Sequence, residues 1–191
     1  MAVRTQHQIT DNTWFITFTC YNWIPLFEIT KSYDLIYNWL KLIDNKYQIK
    51  TLAFVIMPNH VHLLLQLPDE QVNLNVVISN AKRFMAYSLV QRLTEQCNNT
   101  ILDRLSLACS EKEKAKGQKH KLFEPSFDAK TIYSREVLYQ KLDYIHYNPV
   151  KGKWNLCNEY TDYEHSSAAF YELERPHPYL EITDYREYWP L

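Results

Sequence analysis

The sequence predicts an α+β fold, an antiparallel β-sheet with amphipathic helices packed on one face. Two observations predict it. Segments 14–20, 49–57 and 60–67 are rich in β-branched and aromatic residues, whereas 31–45 and 73–93 place their apolar residues at helical three-and-four spacing. The resulting order is strand, helix, strand, strand, helix, strand, helix. It suits a sheet with one helical layer better than a parallel α/β arrangement.

The elements follow in order. In 14–20, Ile16 and Phe18 alternate with Thr17 and Thr19, the pattern of a half-buried strand. Thr30 reads as the N-cap of a helix over 31–45, whose apolar face uses Leu35, Ile36, Trp39, Leu40 and Ile43. Strands 49–57 and 60–67 are joined by Pro58 and Asn59, residues suited to a tight turn, and so form a hairpin. Leu74, Val77, Ile78, Ala81, Met85, Leu89 and Leu93 make one apolar stripe along 73–93. Periodicity then dissolves in 95–121, a polar stretch with five lysines between 112 and 121, which reads as a loop or insertion. A short extended segment at 130–133 leads to Ser134, a suitable cap for a helix carrying Val137, Leu138, Leu142 and Ile145. Pro149 ends that helix, because it lacks an amide proton and its predecessor disfavours helical angles.

Composition excludes several activities. The 191 residues contain two glycines, far apart at 117 and 152, so a P-loop, a GxGxxG turn and a GxSxG elbow are all absent. With 21 basic and 22 acidic residues the formal charge is −1, which gives no global attraction to phosphate backbones. Binding to nucleic acid therefore needs a local patch. The four scattered cysteines suit a reducing cytoplasm, and the absence of a long apolar run predicts a soluble protein with no membrane partner.

His60 and His62 stand two apart on a strand and so point to one face, opposite Val61, Leu63, Leu65 and Leu67. Helices should pack on the apolar face, leaving the histidines on the other. Neutral imidazoles at this spacing can chelate one divalent ion but do not complete a site. Without a third ligand they are equally well read as hydrogen-bonded strand residues. Tyr144 and Asn148 lie one helical turn apart and share a face, placing a phenol near a hard oxygen donor. In a chain with 15 tyrosines, packing alone also accounts for Tyr144, and Asn148 before Pro149 also reads as a helix stop.

Met57-Pro58-Asn59-His60-Val61-His62-Leu63-Leu64 and, about eighty residues later, Tyr144-Ile145-His146-Tyr147-Asn148-Pro149-Val150-Lys151-Gly152 resemble the two signature blocks of the single-tyrosine HUH transposases. The likeness extends in particular to the REP-associated tyrosine transposases and related insertion-sequence transposases, and runs from about Trp14 to Trp154. It implies a ferredoxin-like or RRM-like sheet. It also implies His60, His62 and Asn148 as ligands of Mg²⁺ or Mn²⁺, and Tyr144 as a nucleophile that attacks a DNA phosphodiester. The products would be a 5′-phosphotyrosine and a free 3′-hydroxyl. Single-stranded or hairpin DNA is the implied partner, acted on by a monomer, with a homodimer as the alternative. Where many relatives carry a Trp-Gln pair, this chain has Phe123-Glu124-Pro125-Ser126, so hairpin recognition is expected to differ.

Lys82 and Arg83 on the second helix and Lys151 and Lys153 beside the tyrosine helix are the candidate phosphate contacts. The expected organisation is a catalytic domain over 1–155, with the insertion at 95–121, and a tail over 156–191 that packs on the domain or contacts DNA. Two further readings remain. One is a noncatalytic RRM-like module that binds nucleic-acid hairpins; the other is a metal-dependent hydrolase in which the tyrosine is dispensable.

Overall fold

A computed structural model describes residues 12–68, 72–152 and 154–190. Four strands, β1 (Thr13–Thr19), β2 (Lys50–Ile56), β3 (His60–Gln66) and β4 (Asp128–Thr131), form an antiparallel sheet in the order β2-β3-β1-β4. This is the ferredoxin-like order. Among the helices are α1 (Leu26–Ile29), α2 (Tyr33–Tyr47), α3 (Leu74–Glu95), α4 (Asn99–Leu107), α5 (Glu111–Ala115), α6 (Arg135–His146) and α7 (Ala168–Glu172). No described helix is long and apolar enough to cross a membrane.

One sheet face carries Ile16, Phe18, Phe54, Ile56, Val61, Leu63 and Leu65 against α2 and α3, as the alternation predicts. The opposite face is also covered, contrary to the expectation of helices on one face. Leu138, Leu142 and Ile145 of α6 pack there on Phe15, Ala53, Val55, Met57 and Leu64, with Trp154, Tyr163, Tyr171 and Trp189 around them. The cause is that β2 is apolar on both faces and Phe15 and Leu64 extend its second face, a composition that requires two covering layers.

Three further differences have local causes. Thr30 does not cap α2. Its hydroxyl lies 2.7 Å from the Leu26 carbonyl and closes α1, while α2 begins after Ser32. The stretch 95–121 is not a plain loop, because α4 is capped by Asn98 and α5 by a Ser110/Glu113 capping box. Leu105 anchors α4 in the main core at 0% exposure. The fourth strand begins two residues earlier than expected, with Asp128 to Thr131 pairing with Thr17 to Trp14.

The chain after α6 lies along β2. Ser167 N–H donates to Phe54 O (2.9 Å), Ile56 N–H to His165 O (2.8 Å) and Thr183 N–H to Thr51 O (3.0 Å). The hydroxyls of Tyr163 and Tyr171 donate to the carbonyls of Ile56 and Leu52. Trp189 Nε1 reaches Thr13 Oγ1 at the start of β1 (2.9 Å).

Candidate active site: two histidines and a tyrosine

Strand parity puts His60 and His62 on the face covered by α6. Both are buried, at 4% exposure, and their ring centroids are 4.7 Å apart. Each ring is held by a neighbour. Asn59 is fully buried and donates its amide to Trp23 O (2.8 Å), which turns Oδ1 toward His60 Nδ1 at 2.7 Å. That oxygen can only accept, so the proton of neutral His60 sits on Nδ1. Thr17, opposite His62 in the register, places Oγ1 2.7 Å from His62 Nδ1. Phe15 stacks on the His62 ring at 5.6 Å.

Burial, with His60 and Lys141 nearby, holds His62 well below the ordinary imidazole range. The ring is therefore neutral at pH 7, the form that ligates metals. Its Nε2 is buried and has no hydrogen-bond partner among the described residues. A buried nitrogen left in this way calls for an explanation, and a metal ion is one. Among the described residues no three His, Cys, Asp or Glu side chains gather into a metal site, so a third ligand must be of another type.

Tyr144 projects from the exposed side of α6, whose buried positions are Leu138, Leu142, Ile145 and His146. Its ring is 48% exposed and packs edge-on against His62 (4.9 Å) and Phe15 (6.0 Å). The histidines and the tyrosine thus meet within one chain. Asn148 follows α6 and opens the 3-10 turn Asn148–Val150. It is half-buried, and its carboxamide makes no hydrogen bond among the described residues. The neighbours of Tyr144 are committed elsewhere. His146 Nε2 meets Ser167 Oγ at 3.0 Å, and burial lowers its pKa to about 4. Tyr147 packs on Tyr160 at 4.2 Å.

The lysine candidates separate. Lys82 does not face outward to a phosphate. Its ammonium donates to the carbonyls of Glu124 (2.5 Å), Pro125 (3.2 Å) and Ser126 (3.2 Å), which uses its three protons. Arg83 is exposed over the Phe84 ring, and Lys151 is exposed over Tyr147. Lys153 lies outside the described residues. Sequence reasoning gave Asn59, Thr17, Phe15 and Lys141 no part in the site. Asn59 adjoins the histidine motif and Thr17 shows strand alternation, but only the register brings Thr17 to His62.

The family model described as "Transposase IS200 like" matches residues 25–148. A Haemophilus influenzae protein provisionally named a REP-associated tyrosine transposase is 29% identical over 133 residues, covering 67% of this chain and 68% of that protein. A solved structure of a REP-associated tyrosine transposase bound to a REP hairpin aligns over 96% of this chain and 94% of its own. The TM-score is 0.59 and the identity 19%, a likeness of fold.

Proposed function

This chain belongs to the IS200-like transposase family, and on that premise we propose that it cuts and rejoins single-stranded DNA through a covalent bond to Tyr144. The observation that carries the reading is the exposed phenol 4.9 Å from His62, on the face where both histidines are held by their Nδ1 atoms. The hairpin bound by the structural neighbour makes folded single-stranded DNA the substrate of choice.

In the proposed reaction Tyr144 Oη attacks the phosphorus and the 3′-oxygen departs, leaving a 5′-phosphotyrosine and a free 3′-hydroxyl. The phenol proton passes to water at the exposed edge of the ring, and the departing 3′-oxygen takes up a proton from water. Because the phosphodiester is exchanged and not hydrolysed, rejoining to another 3′-hydroxyl needs no nucleotide cofactor. His60, His62 and Asn148 are the residues that would hold Mg²⁺ or Mn²⁺, and His62 Nε2 and the Asn148 carboxamide, both without a hydrogen bond among the described residues, fit that role. Such an ion, when bound, supplies Lewis-acid polarisation of a phosphoryl oxygen. Asn59 and Thr17 fix the two rings, and Phe15 supports both His62 and Tyr144. Trp23, 55% exposed and edge-on to His60, offers an aromatic surface for an unstacked base.

The test is a denaturing gel with labelled hairpin DNA and Mg²⁺ or Mn²⁺. Wild type should form a protease-sensitive adduct that Tyr144→Phe does not. Cleavage that persists in the variant without an adduct would replace this reading with activated-water hydrolysis. Binding without cleavage across many hairpins would favour the noncatalytic module.

A further inference from the structure

Tyr144 has charged neighbours that the histidine site does not use. Lys141, one turn earlier on α6, places Nζ 4.7 Å from the Phe15 ring centroid and 5.7 Å from that of Tyr144. Lys130 on β4 pairs directly with Phe15, and residues opposite one another across a ladder share a face. Lys130 therefore stands on the face that carries Phe15, His62 and Tyr144. One lysine from the sheet and one from the helix above it thus flank Phe15, and Lys141 reaches the phenol ring as well.

Neither is neutralised. Among the described residues no ion pair or hydrogen bond is made by Lys130 or Lys141, so three donors on each remain unspent. Asp128, two residues along β4 and opposite Thr17, pairs with neither. Burial, and then Lys130, hold Lys141 below the usual ammonium range. In a chain with slightly more acidic than basic residues, two lysines brought together without a carboxylate are unfavourable until an anion joins them. The Phe15 ring beneath Lys141 fixes its ammonium by a cation–π contact and so prepares the position in advance.

We propose that Lys130 and Lys141 form a phosphate seat that takes the backbone of single-stranded DNA beside the linkage cut, and thereby aligns that linkage on Tyr144. The seat deepens the reading of Tyr144 as nucleophile and rests on it for the alignment. Lysine binds phosphate as a point charge, so the contact fixes position and carries no sequence preference. It also explains how a chain of near-neutral charge engages DNA at this site.

The test uses the full chain with a chelator present and an oligothymidylate of about a dozen nucleotides as probe. Affinity is measured by fluorescence anisotropy across a salt series. Each phosphate contact on a single strand contributes about 0.7 to the slope of log affinity against log salt. Lys141→Gln and Lys130→Gln should each flatten the slope by about 0.7, and the double variant by about twice that. Lys141→Arg, which keeps the charge, should restore the wild-type slope. Lys46→Gln on α2 should leave it unchanged.

Slopes unaffected by both substitutions overturn the proposal, as does an equal loss in Lys46→Gln. The covalent assay separates the two readings. Flattened slopes in a protein whose wild type forms no Tyr144 adduct keep the seat and remove the nucleophile. A wild-type adduct with unchanged slopes does the reverse. Where both hold, Lys141→Gln should slow adduct formation and Lys141→Arg should rescue it.

Discussion

Acidification should loosen this protein at a defined point, His146. The ring is 5% exposed at the end of α6, and burial lowers its pKa from 6.5 to about 4. Its one side-chain hydrogen-bond partner among the described residues is the Ser167 hydroxyl, which in turn bonds both the N–H and the carbonyl of Phe54. Between about pH 6.5 and about pH 4 the unfolded chain protonates this ring while the native chain does not, so stability falls as pH falls. The contribution is complete above the upper limit and gone below the lower one. Two and a half pH units at 1.36 kcal/mol each give about 3 kcal/mol, a large share of the 5–15 kcal/mol typical of a domain. His62, His165 and His177 are also held low by burial, so the wild-type curve will be steeper than His146 alone requires. His146→Gln keeps an amide near Ser167 and does not titrate, which isolates the effect. In urea unfolding across this pH range, the stability difference between wild type and His146→Gln should shift by about 3 kcal/mol against wild type as the pH is lowered. Parallel curves would refute the reasoning.

Two more outcomes follow from the hydrogen bonding of the site and its support. Thr17→Val leaves His62 Nδ1 without its partner and should weaken Mn²⁺ binding by about 10- to 100-fold in a calorimetric titration, with little effect on Tyr144; unchanged affinity would remove Thr17 from the metal reading. Lys82→Met abandons three carbonyls in 124–126 and should cost about 1–2 kcal/mol in denaturant unfolding, with faster amide exchange in that segment, while the salt slope of oligonucleotide binding stays the same.

The periodic elements were readable because periodicity reports burial directly. The stripes that became α2 and α3, and the alternation at Ile16 and Phe18, each face one core. Where a segment is apolar on both sides, alternation carries no sign. Ala53, Val55 and Leu64 gave no hint that α6 and the chain beyond it would cover them, because that depends on an encounter between distant segments. Polar caps were legible in principle: Asn98 and the Ser110/Glu113 box announce α4 and α5, but Ile101, Leu102 and Leu105 make an apolar face too short to stand out in a polar stretch. The site divides in the same way. Strand parity suffices to put His60 and His62 together, whereas the helical spacing read between Tyr144 and Asn148 is interrupted, because α6 ends at His146 and Asn148 opens the next turn. Which lysine faces a phosphate is a different kind of question. Lys82 and Lys141 are both helical and both flanked by polar and apolar residues, and only packing turns one toward carbonyls and the other toward the tyrosine.

The chain laid along β2 has a consequence for how these molecules meet one another. An outer strand ordinarily displays a row of unpaired amides and carbonyls that a second sheet can join. Here the carbonyls of Thr51, Leu52, Phe54 and Ile56 are already occupied by donors from 163–183 of the same chain. A second copy could extend the sheet at β2 only by stripping that segment away. The other border, β4, is four residues long and bears Asp128 and Lys130 at alternate positions, a poor template for further strands. The protein thus guards both borders of its sheet, one with its own downstream chain and the other with brevity and charge.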